Sequence, residues 1–207
     1  MNNTARNKED ALTLEILEVI ENESHVTQRH LADKLGVALG LANSYLKRCM
    51  RKGLIKVQQA PANRYLYYIT PKGFAEKSRL TARYLSVSFD FYRQAGNSLN
   101  NIYLNCIRKS RDRILVCGIS ELAEIASIRA VEHNIRIVGY YDPLSREESF
   151  LRMPIMHELP EKSLFDACLL TAVSEAGAIY GGLAKCVDKD IILVPSILGL
   201  NVENGLS

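Results

Sequence analysis

Residues 27–56, TQRHLADKLGVALGLANSYLKRCMRKGLIK, decide how the first part of the chain folds. Thr27 is a good helix N-cap and Gly36 a good terminator, so 27–35 reads as one short helix. After the turn Gly36-Val37, the segment ALGLANSYLKRCMRK runs to Gly53, with Ala42, Leu46 and Cys49 spaced four and three apart as a buried stripe. Two short helices joined by a glycine-containing turn make a helix-turn-helix.

Upstream, KEDALTLEILEVIEN (8–22) sets apolar residues at mostly helical spacing between acids and reads as an amphipathic first helix. Downstream, 54–60 and 64–70 alternate as two strands around Pro61-Ala62-Asn63, which predicts a hairpin wing. A helical stretch over 73–95 follows, carrying Phe74, Leu80, Tyr84, Leu85, Phe89 and Tyr92. Gly96-Asn97-Ser98 is expected to break it, with a further amphipathic helix over 98–110.

From Arg113 the pattern changes. RILVCG is a short buried strand ending in glycine, followed by a helix over 120–133 and a second strand, IRIVGYYD. Met153-Pro154-Ile155-Met156 suggests a short third strand, DACLLTAV a fourth, 175–189 a helix, and DIILVP a last strand. Strands alternating with helices of this length indicate a parallel sheet wrapped by helices. The expected fold class is α/β: a winged helix-turn-helix over 1–75, a helical linker or dimerisation region over 76–110, and a Rossmann-like domain over 111–207.

The net charge of +3 hides an asymmetry: 1–93 carry 15 basic against 9 acidic residues, and 94–207 carry 11 against 14. Within 27–72 nine basic residues face one acid, Asp33, as a phosphate-facing surface requires. The polar start MNNTARNKED lacks the apolar core of a signal peptide, and no apolar run is long enough for a membrane span, so a cytoplasmic protein is expected. The five cysteines form no CxxC pair, which argues against a disulfide framework or a zinc site.

If Ala42, Leu46 and Cys49 are buried, then Leu39, Gly40, Asn43, Ser44 and Lys47 face outward. Asn43 has the chemistry for a paired contact to adenine, and Leu39 or Leu41 for a thymine methyl. Ser44 and Lys47 suit phosphates or base edges, and Arg48 and Arg51 the DNA backbone. At the wing tip, Asn63 and Arg64 are placed to enter the minor groove. The partner is therefore expected to be double-stranded DNA.

Residues 11–93 resemble the MarR-type winged-helix regulators, particularly the branch associated with exopolysaccharide gene clusters. The stretch 27–56 and the signature YLYYITPKGFAEKSRLTARYL carry the resemblance, which implies a homodimeric DNA binder. Ala38 stands where many relatives have a capping Ser or Thr, so that helix start is weaker.

GISELA (118–123) opens the second domain. Gly118 fits the first glycine of the dinucleotide fingerprint and Ala123 its third position, while Ser120 replaces the middle glycine. Glu121 places a carboxylate where a phosphate would seek the helix N-terminus. Asp142 ends the second strand, where an acid holds ribose hydroxyls. Segment 113–195 resembles the Rossmann domains that precede sugar-nucleotide dehydratases, and the CoA-binding type, through ILVCGISELAEIA, IVGYYDP and the strand ending Ala172-Val173-Ser174. Gly118, Ile119, Ser120, Asp142, Val173 and Ser174 are the candidate contacts for a nucleotide-containing effector; a dimerisation scaffold without ligand is the open alternative. A nucleotide-sugar-modifying enzyme with a winged-helix interaction module is the other reading, but Lys185 lies five residues from Tyr180 and no Tyr-x-x-x-Lys pair forms. No catalytic residue is assigned.

Overall fold

The first helix, α1 (Asn2–Asn22), buries Leu12, Ile16, Leu17 and Ile20 at three- and four-residue steps, as its apolar periodicity requires. The structure, a computed structural model, describes residues 2–23, 26–60 and 64–200. The chain divides into two units, Met1–Ser88 and Phe89–Ser207.

In the first unit α2 (Gln28–Lys34) starts at Thr27, whose hydroxyl oxygen accepts from the His30 amide at 3.1 Å. Both α2 and α3 (Leu39–Arg51) end in the same glycine device. Gly36 at φ +59° lets its own amide reach Asp33 O and the Val37 amide reach Ala32 O. Gly53 at φ +72° does the same, with Met50 O and Cys49 O as acceptors. These bonds satisfy carbonyls that a helix end leaves orphaned. Ile16, Leu17, Ile20, Leu31, Leu46, Cys49, Leu54 and Ile55 form the core. Strands β1 (Ile55–Ala60) and β2 (Arg64–Ile69) pair antiparallel as the expected hairpin.

The Thr70-Pro71-Lys72-Gly73 turn fixes the start of α4 (Pro71–Arg108). Thr70 Oγ1 accepts from the Gly73 amide at 3.0 Å and donates to Gly53 O at 2.7 Å. Pro71 takes the first helical position, where no amide partner is needed. A Cβ on Gly73 would lie 2.1 Å from Leu54 O, so the close approach of the two segments requires glycine.

The expected break at Gly96-Asn97-Ser98 does not occur: α4 is one helix of 38 residues. A helical glycine costs about 1 kcal/mol. Against that, Ala95, Leu99 and Tyr103 on the same stretch are wholly buried, and each large side chain contributes about 1.5–3 kcal/mol. Packing therefore overrides the local signal. The helix ends where Ser110 adopts φ +53° and the Arg111 amide donates to Cys106 O.

The second unit is a six-stranded sheet in the order β5-β6-β4-β3-β7-β8. Its strands are β3 (Arg113–Cys117), β4 (Arg136–Tyr141), β5 (Ser149–Phe150), β6 (Met153–Met156), β7 (Ala167–Leu170) and β8 (Ile192–Leu193). All pairings are parallel except β5 with β6. Without β5, the parallel strands run third-second-first-fourth-fifth, the doubly wound order, whose crossover direction reverses between β3 and β7. Ala95, Leu99, Tyr103 and Cys106 of α4 pack with α5 (Glu121–Glu132) over one part of the sheet, and the Tyr103 hydroxyl donates to Ala126 O at 2.9 Å. A separate cluster joins α6 (Ala176–Cys186) to Leu115, Cys117, Cys168 and Leu170. No helix among the described residues is long and apolar enough to cross a membrane.

Candidate nucleic-acid interface and effector cleft

Helix α3 buries Ala42, Leu46 and Cys49, and Leu39, Gly40, Leu41, Ser44, Lys47 and Arg51 are exposed. Ala38 caps it with no side-chain hydrogen bond, as its methyl dictates. Ser44, Lys47, Met50 and Arg51 line one shallow depression. Lys47 and Arg51 make no ion pair among the described residues. Arg48, expected on the DNA backbone, instead pairs with Glu9 of α1 at 2.7 Å, and the same carboxylate takes Lys52 at 3.5 Å. That pair ties α3 to α1 and leaves the Arg48 side chain 45% exposed.

Asn43 departs further from its expected place. Its side chain is half-buried, and its Oδ1 is buried without a hydrogen-bond partner. A paired contact to adenine needs both the amide oxygen and the amide nitrogen, so this geometry does not present one. At the wing, Asn63 lies outside the described residues, as does the side chain of Arg64, the first residue of β2. Two cations counted in the basic stretch 27–72 but given no individual contact stand on described surfaces: Arg29 on α2 and Lys56 on β1 are both exposed and make no ion pair among the described residues. Their basic character was the available signal; their exposure was not.

In the second unit the turn after β3 is built around Gly118 at φ +96°, where a Cβ would lie 2.4 Å from that of Ala172. The buried Thr171 donates its hydroxyl to Gly118 O and its amide to Cys117 O, which locks β7 to this turn. Ser120 is the N-cap of α5: its Oγ accepts from the Leu122 amide at 3.1 Å and donates to Thr171 O at 2.6 Å. The hydroxyl proton expected on a phosphate is thus already placed. Asp142 is 7% exposed. Its Oδ2 accepts from the Ile119 amide at 2.9 Å, and its Oδ1 from the amides of Leu144 at 2.9 Å and Ser145 at 3.1 Å. The carboxylate organises its own loops, and this corrects the expectation of a ribose ligand.

A cleft of about 650 Å³ opens at the carboxyl ends of these strands. Ile119, Ser120, Asp142, Val173 and Ser174 all line it, whereas Gly118 shapes the turn without lining it. Glu121, Glu124, Glu147 and Glu175 also line it, together with Leu144, Phe150 and Ile179. Glu147 comes from the loop before β5 and Phe150 from β5 itself, a stretch whose sequence carries no periodic signal. The thiols are poor redox sites where burial controls them: it pushes Cys49 up to about 11 and Cys117 well above its ordinary value, which suppresses the reactive thiolate.

Residues 9–56 match a family of winged helix-turn-helix DNA-binding domains. The PcaV transcriptional regulator from Streptomyces coelicolor is similar in structure at 20% identity and TM-score 0.39, over 48% of this chain and 74% of that one. The MarR family transcription regulator SP03579 is similar at 19% identity and TM-score 0.35, over 51% and 82%. PigF with SAH is similar at 14% identity and TM-score 0.30, over 81% and 63%. No curated protein matches the chain by sequence.

Proposed function

We propose that the chain is a sequence-specific, homodimeric DNA-binding transcriptional regulator of the cytoplasm, whose second unit takes a small effector in the cleft at its strand ends. The carrying observation is the exposed face of α3, where Ser44, Lys47 and Arg51 share one surface and neither cation makes an ion pair among the described residues. A recognition helix needs that pairing of a buried stripe with a polar outer face. The match of 9–56 to winged helix-turn-helix DNA-binding domains supports the reading. Enrichment of duplex DNA from a random pool by the full chain tests it: one selected sequence motif is expected, and recovery of no motif refutes sequence-specific binding.

Dimerisation rests on α4. Phe74, Tyr84, Leu85, Val87, Phe89 and Tyr92 are all at least 40% exposed. Phe91, on the same helix, packs partly buried against the core of the second unit. Reading two half-sites needs a symmetric partner, and a second copy of this helix supplies matching apolar surface. The effector role rests on the cleft's position: in doubly wound sheets ligands collect at the carboxyl ends of the strands, where the crossover direction reverses. The unit regulates DNA binding when its ligand distinguishes two arrangements of the dimer. We assign no enzymatic activity.

A further inference from the structure

We infer that the second unit binds an aliphatic carboxylate of medium chain length at the starts of its central strands, the ends opposite those that border the cleft. The inference does not rest on the effector reading of that cleft. A pocket of about 420 Å³ opens beside Arg113 and Arg136, the first residues of β3 and β4. Its other walls are Ile137, Val138, Met153, Met156, Pro160 and Leu164.

The charge at this pocket is only half answered. Arg113 and Arg136 are register partners, and like charges set directly opposite each other on neighbouring strands repel. Asp166 pairs with Arg113 at 2.7 Å. Arg136 is exposed, and its side chain makes no ion pair or hydrogen bond among the described residues. Arg113 is held in place: Nε and Nη2 donate to Asp166 Oδ1, and Nη1 donates to Ser163 O at 2.9 Å. An anion beside Arg136 relieves the repulsion, and the planar guanidinium fork matches a carboxylate.

The backbone is also shaped here. The pairing of β3 with β4 shifts register between Ile114↔Ile137 and Leu115↔Gly139, so Val138 is an extra residue in β4. Such bulges are rare between parallel strands, and they re-aim side chains. This one places Val138 in the pocket wall. Gly139 leaves room for Met156 Cε, which a Cβ there would meet at 2.3 Å.

The walls define the body of the ligand. Apart from the two arginines they carry no hydroxyl, amide, imidazole or carboxylate, so the hydroxyls of a sugar or ribose find no partner. No wall residue is aromatic, so a planar ring gains no stacking partner. Two methionines adapt readily to a flexible chain. Leu164 is 54% exposed, apolar surface that an alkyl chain would cover.

The test is titration calorimetry on the full chain with hexanoate, octanoate, decanoate, octylamine and inorganic phosphate as separate probes. Saturable octanoate binding is expected, with affinity rising about fourfold for each methylene the pocket encloses. Octylamine and phosphate should not bind there. Arg136→Gln should weaken octanoate about five- to tenfold, and Arg136→Lys should restore part of that. Leu164→Glu, on the opposite wall, should abolish binding and gives a second reading should Arg136→Gln fold poorly. Lys189→Gln removes an exposed charge outside the pocket and should change nothing. Octanoate binding that survives Arg136→Gln and Leu164→Glu undiminished overturns the site. Octylamine binding as well as octanoate overturns the role of the arginines, and phosphate binding as well as octanoate overturns the aliphatic class. No saturable binding by any of the three carboxylates overturns the inference outright.

Discussion

Replacing Asp142 by alanine should unfold the second unit more easily, because its carboxylate is structural. The side chain is 7% exposed and accepts from the amides of Ile119, Leu144 and Ser145 at 2.9, 2.9 and 3.1 Å. A hydrogen bond to a charged acceptor contributes about 1.5–3 kcal/mol, and a buried donor left unpaired costs about 1–3 kcal/mol. Leu144 is exposed and Ser145 half-buried, so water can re-satisfy part of what is lost. The expected loss is therefore about 3 kcal/mol, below the sum of three full bonds. For a unit of this size that lowers the melting temperature by roughly 10 °C. Asp142→Asn should recover only part of it, since the amide offers one acceptor oxygen where two are used. Circular dichroism melts of both variants read this directly, with the first unit as internal reference. If Asp142→Ala melts like the unsubstituted chain, the carboxylate is free and its role as a ligand contact returns.

Gly73→Ala should destabilise the first unit by about 2 kcal/mol: overpacking against the Leu54 carbonyl, 2.1 Å from the new methyl, outweighs the helix-propensity gain of about 1 kcal/mol. Urea unfolding checks it, and an unchanged midpoint would remove the close-packing reason for this glycine. Arg113 holds Asp166 below the ordinary carboxylate range through hydrogen bonds at 2.7 and 3.2 Å, with the Arg113 amide adding a third at 2.9 Å. A depressed folded-state value stabilises above the unfolded value of about 3.9 and is lost as the pH falls through the folded one. Asp166→Asn should therefore be less stable at pH 6 and show a flatter decline below about pH 4 in urea midpoints; parallel pH curves would contradict the pairing. Light scattering at micromolar concentration should give a dimeric mass that Leu85→Glu/Phe89→Glu reduces toward a monomer, whereas a monomeric starting protein would exclude α4 as a dimer surface.

Where a local signal and the packing agreed, the sequence was a sufficient guide. Thr27, Gly36 and Gly53 each act at the helix end they announce, since caps and left-handed glycines depend on a few neighbouring atoms. The strand that ends at Gly118 was legible for the same reason: a buried apolar run ending in glycine is local. Gly96 shows the limit, because its helix-breaking tendency of about 1 kcal/mol is outweighed by the burial of Ala95, Leu99 and Tyr103 against residues such as Ile125 and Leu169. Asp142 shows another limit. Its position at the end of β4 was readable, but not that the amides of Ile119, Leu144 and Ser145 would occupy it. Asn43 and Arg48 show the same limit, since helical spacing gives a direction and not the partner, here Glu9 for Arg48, that waits there.

The most direct test of the central claim is the salt dependence of the full chain's affinity for its selected duplex, read by fluorescence anisotropy beside Lys47→Ala. The account predicts tight binding whose logarithm falls linearly with the logarithm of salt concentration. Lys47→Ala should weaken binding to specific and random DNA alike and reduce the slope by about 1, as expected for one lost phosphate contact. Binding with the same slope and affinity in Lys47→Ala, or no binding to any duplex at low salt, would contradict the claim that the exposed face of α3 meets DNA.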